Sequence, residues 1–492
     1  MGFKKWISAT AASLLLAASF QTATIQAEES RTIADESIYD LLVDRFFNGT
    51  ASNDINVNTQ DNTQFAGGDF TGLMSRSDHI QNMGFSIVSV GSIFTTEKYD
   101  GSMITSYSEL EPHFGTSDEF KQVVETFKEK DMTVMVDFPL SKVSENHEWV
   151  KDAAKADWIS DKANGIASFD LGNVDVQAAL KEAIITFVST YGVGGIRLTN
   201  LDGASTEFVN ELIDEIKAID SNIYVISNEE SPAHFDASYY EETNKIYRNI
   251  YKNVDLDSSN ITKYVDPYLH EGQVPSQIMF DNLWTNRFTY DVFDGQHGHP
   301  PTRMKMAYAA TLLLPGVPVI QYGSEIAMNG KVGPESHQYY NFKTDEELID
   351  FIKNLQSLRN QSDTLRSGDF EILKNEDGFL AFKRESEKET WIVVINNTSV
   401  TDRVNISPEL IGEGKEIRGM FESEIIRENK EGYYPIILDR EMVEVYQVID
   451  ERGINVSYLV ALGIVYVLFT VFVISIVKRG RKRRAEQNTH AK

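Results

Sequence analysis

The chain has 492 residues, 41% of them hydrophobic and 11% aromatic, enough apolar side chain to bury one large core and a smaller one, which excludes an intrinsically disordered chain. Its 46 basic and 74 acidic residues leave a formal charge of -28, a field that repels nucleic acid phosphates and anionic lipid head groups and leaves a neutral polymer unaffected. With no cysteine, disulfides, thiolate metal sites and cysteine nucleophiles are excluded together.

In chain order, Lys4 and Lys5 precede the apolar run Trp6 to Phe20, and small residues continue to Ala27; residues 1–27 are expected to be a secretory signal. Short β-like runs then alternate with helical stretches. Strands are expected at Ser37 to Val43, Ser86 to Val90, Thr133 to Asp137, Gly195 to Thr199, Tyr224 to Ser227, Gln277 to Asp281 and Val317 to Gln321, with a weaker sixth near Phe235 to Tyr239. Ser117 to Lys130 and Val176 to Tyr191 carry apolar residues at helical spacing. The alternation predicts an α/β fold with a parallel barrel over 28–365, interrupted by a short insert near 141–170. From about Ser367 the runs become short and alternating, as in Ala381 to Lys383, Trp391 to Ile395 and Met442 to Val448, so 366–450 is expected to be a separate β domain. Ile454 to Val477 is uncharged and strongly apolar, long enough to be a transmembrane helix, and Lys478, Arg479, Arg481, Lys482, Arg483 and Arg484 follow it. That basic tail, 478–492, is expected on the cytoplasmic side of a cell membrane, with the N-terminal domains extracellular. It also suits anionic lipid, a plain stop-transfer role being the simpler reading.

Phe280-Asp281-Asn282-Leu283-Trp284-Thr285-Asn286-Arg287-Phe288 resembles a segment of the alpha-amylase family, glycoside hydrolase family 13, that reads F-D-N-H-D, two variable residues, then R-F. Gly195-Ile196-Arg197-Leu198-Thr199 resembles its G-F-R-L-D. Val43-Asp44-Arg45-Phe46 with Asn48-Gly49, Gly67-Gly68-Asp69-Phe70-Thr71-Gly72, and Pro315-Gly316-Val317-Pro318 with Tyr322-Gly323-Ser324-Glu325 are similar to further family segments, in the family's order. The resemblance covers roughly Glu36 to Val448. It implies a (β/α)8 TIM barrel followed by a small antiparallel β-sandwich domain, to which this chain adds one C-terminal transmembrane helix.

Such a barrel carries its active site at the C-terminal strand ends, where Asp137, Thr199, Glu229 and Asp281 fall. A retaining glycosidase flanks the bond with two carboxyl groups roughly 5 to 5.5 Å apart, because the transition state is cationic, and amylases add a third. The resemblance puts Glu229 at the acid/base position, with Glu230 the alternative if the register is off by one. It puts Thr199 where the nucleophile stands, Trp284 where the third carboxylate stands, and Leu283 where a sugar-contacting His stands. A hydroxyl needs an adjacent base to attack carbon, and none is legible near Thr199. Asp202 or Asp281 would substitute only with a shifted backbone. Arg197, which in the family positions the nucleophile, is left to pair with Glu229 or Asp281. Tyr99 sits where a family Tyr stacks on sugar, next to Asp100 in place of His; Asp137 is kept, but the Asn and His after it have become Ser141 and Lys142. The residues expected to meet substrate are therefore Tyr99, Asp137, Arg197, Asp281 and Trp284, the indole either stacking on sugar or filling the emptied cleft as core.

Asn48, Thr50, Asn53, Asp54, Gly67 and Asp69 correspond to a structural calcium loop of some relatives, and their oxygens are of the kind calcium takes. One structural Ca2+ is thus implied there, whereas the family's second site loses its Asn and His at Ser141 and Lys142 despite Asp170. The functional expectation is a membrane-anchored, catalytically impaired or inactive homologue that binds α-glucan or maltodextrin, or assists an active amylase partner. Two alternatives stand beside it: an active hydrolase or transglycosidase with relocated carboxylates, and an envelope interaction module without sugar affinity.

Overall fold

The computed structural model describes residues 31–261, 274–294, 299–451 and 456–489. The expected signal segment, 1–27, lies outside the described residues.

Eight parallel segments close into a ring. The first strand, Ile38–Asp40, pairs on one side with the second, Ile87–Ser89, and on the other with the eighth, Val317–Gln321. Thr133–Pro139, Gly195–Thr199 and Tyr224–Ser227 follow as third, fourth and fifth. The sixth is reduced to two bridges, Ile226 to Ala237 and Ser238 to Ser276, which join the fifth strand to the seventh, Gln277–Ile278, and so to the eighth. Ile, Val, Met and Phe dominate these strands because the helices cover their outer faces and their inner faces fill the barrel.

The helices show why local sequence suffices for them. Ser117–Lys128 opens on a capping box between Thr116 and Glu119 and buries Phe120, Val123, Val124 and Phe127, one face at helical spacing. Val174–Tyr191 is capped by Asn173 and ends at Gly192, whose positive φ of 64° a residue with a Cβ adopts poorly. Each fully buried Phe, Leu or Val contributes about 1.5–3 kcal/mol.

Three strands are shorter than expected, the second by one residue at each end, at Ile87–Ser89. The first stops at Asp40, and Val43–Phe46 is a helical turn, because the Asp44 carboxylate accepts the Ala66 and Gly67 amides and pulls the chain out of the sheet. The seventh ends at Ile278, because Asp281 is drawn aside to the Phe288 amide at 2.6 Å. The insert holds a small antiparallel sheet of Lys142–Ser144, Ile159–Ala163 and Ile166–Phe169.

Beyond the barrel, a six-stranded antiparallel sheet runs in the order 369–376, 379–385, 390–396, 442–450, 415–419, 425–426. Its alternation has period two: Phe382, Trp391, Val393 and Val445 join the barrel core, while Phe379, Ala381, Ile392 and Tyr446 face Val404, Ile406 and Ile436 of the pair 402–406 and 434–438, making a sandwich. Arg303, fully buried, donates to the Tyr251 and Asn253 carbonyls and to Asn397, tying the barrel to this domain. In the last helix, Val456–Thr489, the stretch Leu459–Arg481 is long and apolar enough to cross a membrane, about 34 Å at 1.5 Å per residue, and none of it is buried.

Candidate active site

At the C-terminal mouth of the barrel, three strands meet on one guanidinium. Arg197 donates through Nε and Nη2 to the two oxygens of Asp137, at 2.7 and 2.8 Å, and through Nη1 and Nη2 to those of Asp40, at 3.1 and 3.0 Å. The expected pairing of Arg197 with Glu229 or Asp281 is therefore corrected. Asp137 lies on the third strand, which pairs with the fourth, and Asp40 on the first strand beyond the second; together they accept four hydrogen bonds from the guanidinium. Burial alone would favour neutral forms; the two carboxylates override it and hold Arg197 firmly charged, while desolvation pushes Asp137 upward against the pull of Arg197.

Thr199 ends the fourth strand, 6% exposed, and its carbonyl accepts the Leu140 amide. Asn200 turns the chain with φ 54°, and the Leu201 amide then donates to Glu229 Oε1 at 2.7 Å. Glu229 is half-buried, and Ser227 Oγ, donating to its carbonyl at 2.5 Å, fixes its backbone. The Asn228 Oδ1 beside it is buried with no hydrogen-bond partner. Asp202 points away from this group to Lys142 at 2.7 Å, the two side chains 66% and 46% exposed, so it does not stand in for a missing carboxylate.

Asp281 is 2% exposed. Its Oδ1 accepts the Phe288 amide and Arg248 Nη1, and its Oδ2 accepts Ser324 Oγ at 2.8 Å, so it braces the loop after the seventh strand and is corrected as a sugar contact. Tyr99 is likewise closed off, 4% exposed, with the Arg45 guanidinium 3.8 Å from its ring centre and its hydroxyl 2.9 Å from His337 Nδ1. His337 Nε2 lies 2.8 Å from the Leu283 carbonyl, which can only accept, so the neutral ring donates there and accepts from Tyr99. Burial lowers its pKa and suits that neutral state. Trp284 does not fill the cleft as core: it is 41% exposed and meets Tyr239 edge to face, ring centres 5.6 Å apart and planes at 89°. Asp40, Tyr239 and His337 were not foreseen. Asp40 was legible as a charge at the end of an apolar strand, and Tyr239 follows the weak sixth strand; His337 has no local signal, because a loop 54 residues from Leu283 brings it in.

The proposed calcium loop fits a hard cation in part. Asn53 Oδ1 is buried without a partner, and neither Asp54 nor Asp69 has a Lys or Arg partner among the described residues. A Cβ on Gly67, whose φ is 90°, would come within 2.7 Å of both Asn48 Nδ2 and Asp54 Oδ1, so the cradle requires glycine. Asp69 is more committed: it accepts the Gly49, Thr50 and Gly72 amides, and burial raises its pKa despite them. Thr50 Oγ1 turns to Ser52.

Comparison with known proteins decides the family. The model for the alpha amylase catalytic domain matches residues 40–169, and that for the alpha-amylase C-terminal domain matches 368–446. An Anoxybacillus alpha-amylase crystal structure superposes with a TM-score of 0.82 at 32% identity, over 86% of this chain and 100% of that one. This chain belongs to the alpha-amylase family. A Geobacillus thermoleovorans alpha-amylase complexed with acarbose gives a TM-score of 0.80 at 28% identity, again over 86% and 100%. Among curated relatives, a cyclomaltodextrinase of Thermoanaerobacter pseudethanolicus is 25% identical over 78% of this chain and 73% of its own length. The family member from Paenibacillus polymyxa described as a beta/alpha-amylase is 24% identical over 74% of this chain, which spans 33% of that longer protein.

Proposed function

We propose that this amylase-family chain binds α-glucan or maltodextrin at its barrel mouth without hydrolysing it. The observation that carries the reading is the fate of the strand-end carboxylates. Asp40 and Asp137 are spent on Arg197, Asp281 on three donors, and Glu229 on the Leu201 amide. A cationic, oxocarbenium-like transition state needs an anion on one side and a proton donor on the other. Thr199 and Trp284, at the nucleophile and third-carboxylate positions, supply neither charge. Loss of a nucleophile in another hydrolase costs on the order of 10^6 in turnover, about 8 kcal/mol of barrier.

Glucan as ligand is suggested by what the relatives' names describe, a cyclomaltodextrinase and an amylase complexed with acarbose. Trp284 offers an exposed indole whose face suits the CH face of a sugar ring, and Tyr239 holds it edge-on. In this reading Leu459–Arg481 anchors the chain, the basic cluster from Lys478 stays on the cytoplasmic side, and the barrel is displayed outside, where an active amylase partner would share the glucan. The loop of Asn48, Thr50, Asn53, Asp54, Gly67 and Asp69 holds one structural Ca2+ in this reading, with Asn53 Oδ1 its freest ligand, while Asp54 Oδ1 already accepts Asn48 Nδ2 at 2.8 Å; addition of calcium to chelator-treated protein then raises the melting temperature, and no shift counts against it.

Full-length protein in detergent, titrated with maltoheptaose and assayed in parallel for new reducing ends, tests the main reading. Binding without release supports it; release by the unmodified protein overturns it. Thr199→Asp with Trp284→Asp in one chain is expected to introduce slow hydrolysis, since the scaffold around the pair is intact.

A further inference from the structure

The mouth of the barrel is not the only concave surface. Between helix Pro300–Leu313, helix Glu347–Gln361 and the start of the last sheet strand lies a cavity of about 790 Å3, within the ~300–1,000 Å3 usual for small-molecule sites. None of the residues placed above in the barrel mouth lines it.

Its walls are built rather than incidental. Phe351 from the barrel helix and Phe421 from the β domain meet at 5.6 Å, planes at 43°, and both are half-buried. Phe421 sits on a tip, Met420 to Glu422, that one carboxylate pins: Glu444, fully buried, accepts the amides of Met420 at 3.0 Å, Phe421 at 2.9 Å, Glu422 at 2.7 Å and Val445 at 2.9 Å. A buried anion satisfied by four N–H groups holds the phenyl ring in place without a cation.

The lining selects a ligand class. Lys305 and Arg440 are balanced by Glu422 and Glu441, so the site favours neither an anion nor a cation. Lys305 is already bound to Glu347, and Glu441 to Arg303. Glu422, Arg440, Asn354 and Thr302 make no side-chain hydrogen bond among the described residues. Two aromatic rings flanked by uncommitted polar side chains suit a neutral molecule with CH faces and many hydroxyls.

We propose that this interdomain groove is a second binding site for neutral maltooligosaccharide, with Phe351 and Phe421 as its platform. The choice of sugar rests on the glucan reading above; the site itself rests on the groove alone. Isothermal titration of the full chain in detergent with maltoheptaose is expected to give two sugars per chain. Phe351→Ala with Phe421→Ala should bring this to one, as should Trp284→Ala at the mouth. Because the phenyl pair touches the core, Glu422→Ala with Arg440→Ala, both exposed, serves as a second variant and should weaken the same step at least tenfold with an unchanged melting temperature. Unchanged titrations for both groove variants overturn the groove proposal, and the mouth reading then stands or falls with Trp284→Ala. An unchanged Trp284→Ala beside groove variants that lose one sugar overturns the mouth reading and leaves the groove supported.

Discussion

Two sides of the barrel mouth handle their side chains in opposite ways. Where the first, third and fourth strands meet, Asp40, Arg197 and Asp137 form a buried knot in which each charge has a partner and little surface is left for a ligand. Where the sixth and seventh segments end, Tyr239 and Trp284 leave an indole 41% exposed against one buried ring. The charges of the knot satisfy one another, whereas the indole is left accessible to a ligand. Family position alone does not distinguish the two sides, since Asp137 and Arg197 on one and Trp284 on the other were all expected to touch sugar.

The largest expected effect breaks the knot. Arg197→Met leaves two buried carboxylates without a cation and should cost about 3–5 kcal/mol, read as a lower urea midpoint. The deficit should shrink toward low pH, because the Asp137 carboxyl, raised by burial, is least harmful when protonated; an equal deficit at pH 5 and 8 would contradict the assignment.

Next comes a buried group that is neutral. His147, within the insert, is pushed down to about 3 by burial and by Lys155, and it caps Glu148–Lys151 by accepting the Trp149 amide. Its folded pKa lies below the unfolded 6.5, so its stability contribution is complete above pH 6.5 and is lost as pH falls toward 3. At pH 5 the loss is about 2 kcal/mol, from roughly 1.4 kcal/mol per pH unit. His147→Asn, which keeps a capping acceptor, should flatten that slope in denaturation measured from pH 5 to 7.

On the exposed side, Trp284→Ala should weaken maltoheptaose by tenfold or more, about 1.4 kcal/mol, with under about 0.5 kcal/mol lost in folding. A variant that loses several kcal/mol of stability but binds with unchanged affinity would place the indole in the core. The smallest effect belongs to the exposed pair: Asp202→Asn should cost about 0–1 kcal/mol against Lys142 and less at high salt. If it instead matched Arg197→Met, the contrast between buried and exposed charge would not hold.

What sequence alone determined was the local and the patterned. Apolar runs bounded by turns located the barrel strands, down to the weak sixth at Ala237 and Ser238, and helical spacing over Ser117 to Lys130 located a helix, because periodicity acts within a few residues. The resemblance likewise led to the expectation that Thr199, Leu283 and Trp284 stand at the family's reactive positions. Only the tertiary structure decided which carboxylates stay free. Arg197 chose Asp40 and Asp137 over Glu229 or Asp281, Leu201 claimed Glu229, and His337 reached Tyr99 from 238 residues away. Hydrogen bonds and ion pairs act over about 3 Å in space whatever the distance along the chain, so their partners are set by folding and not by spacing.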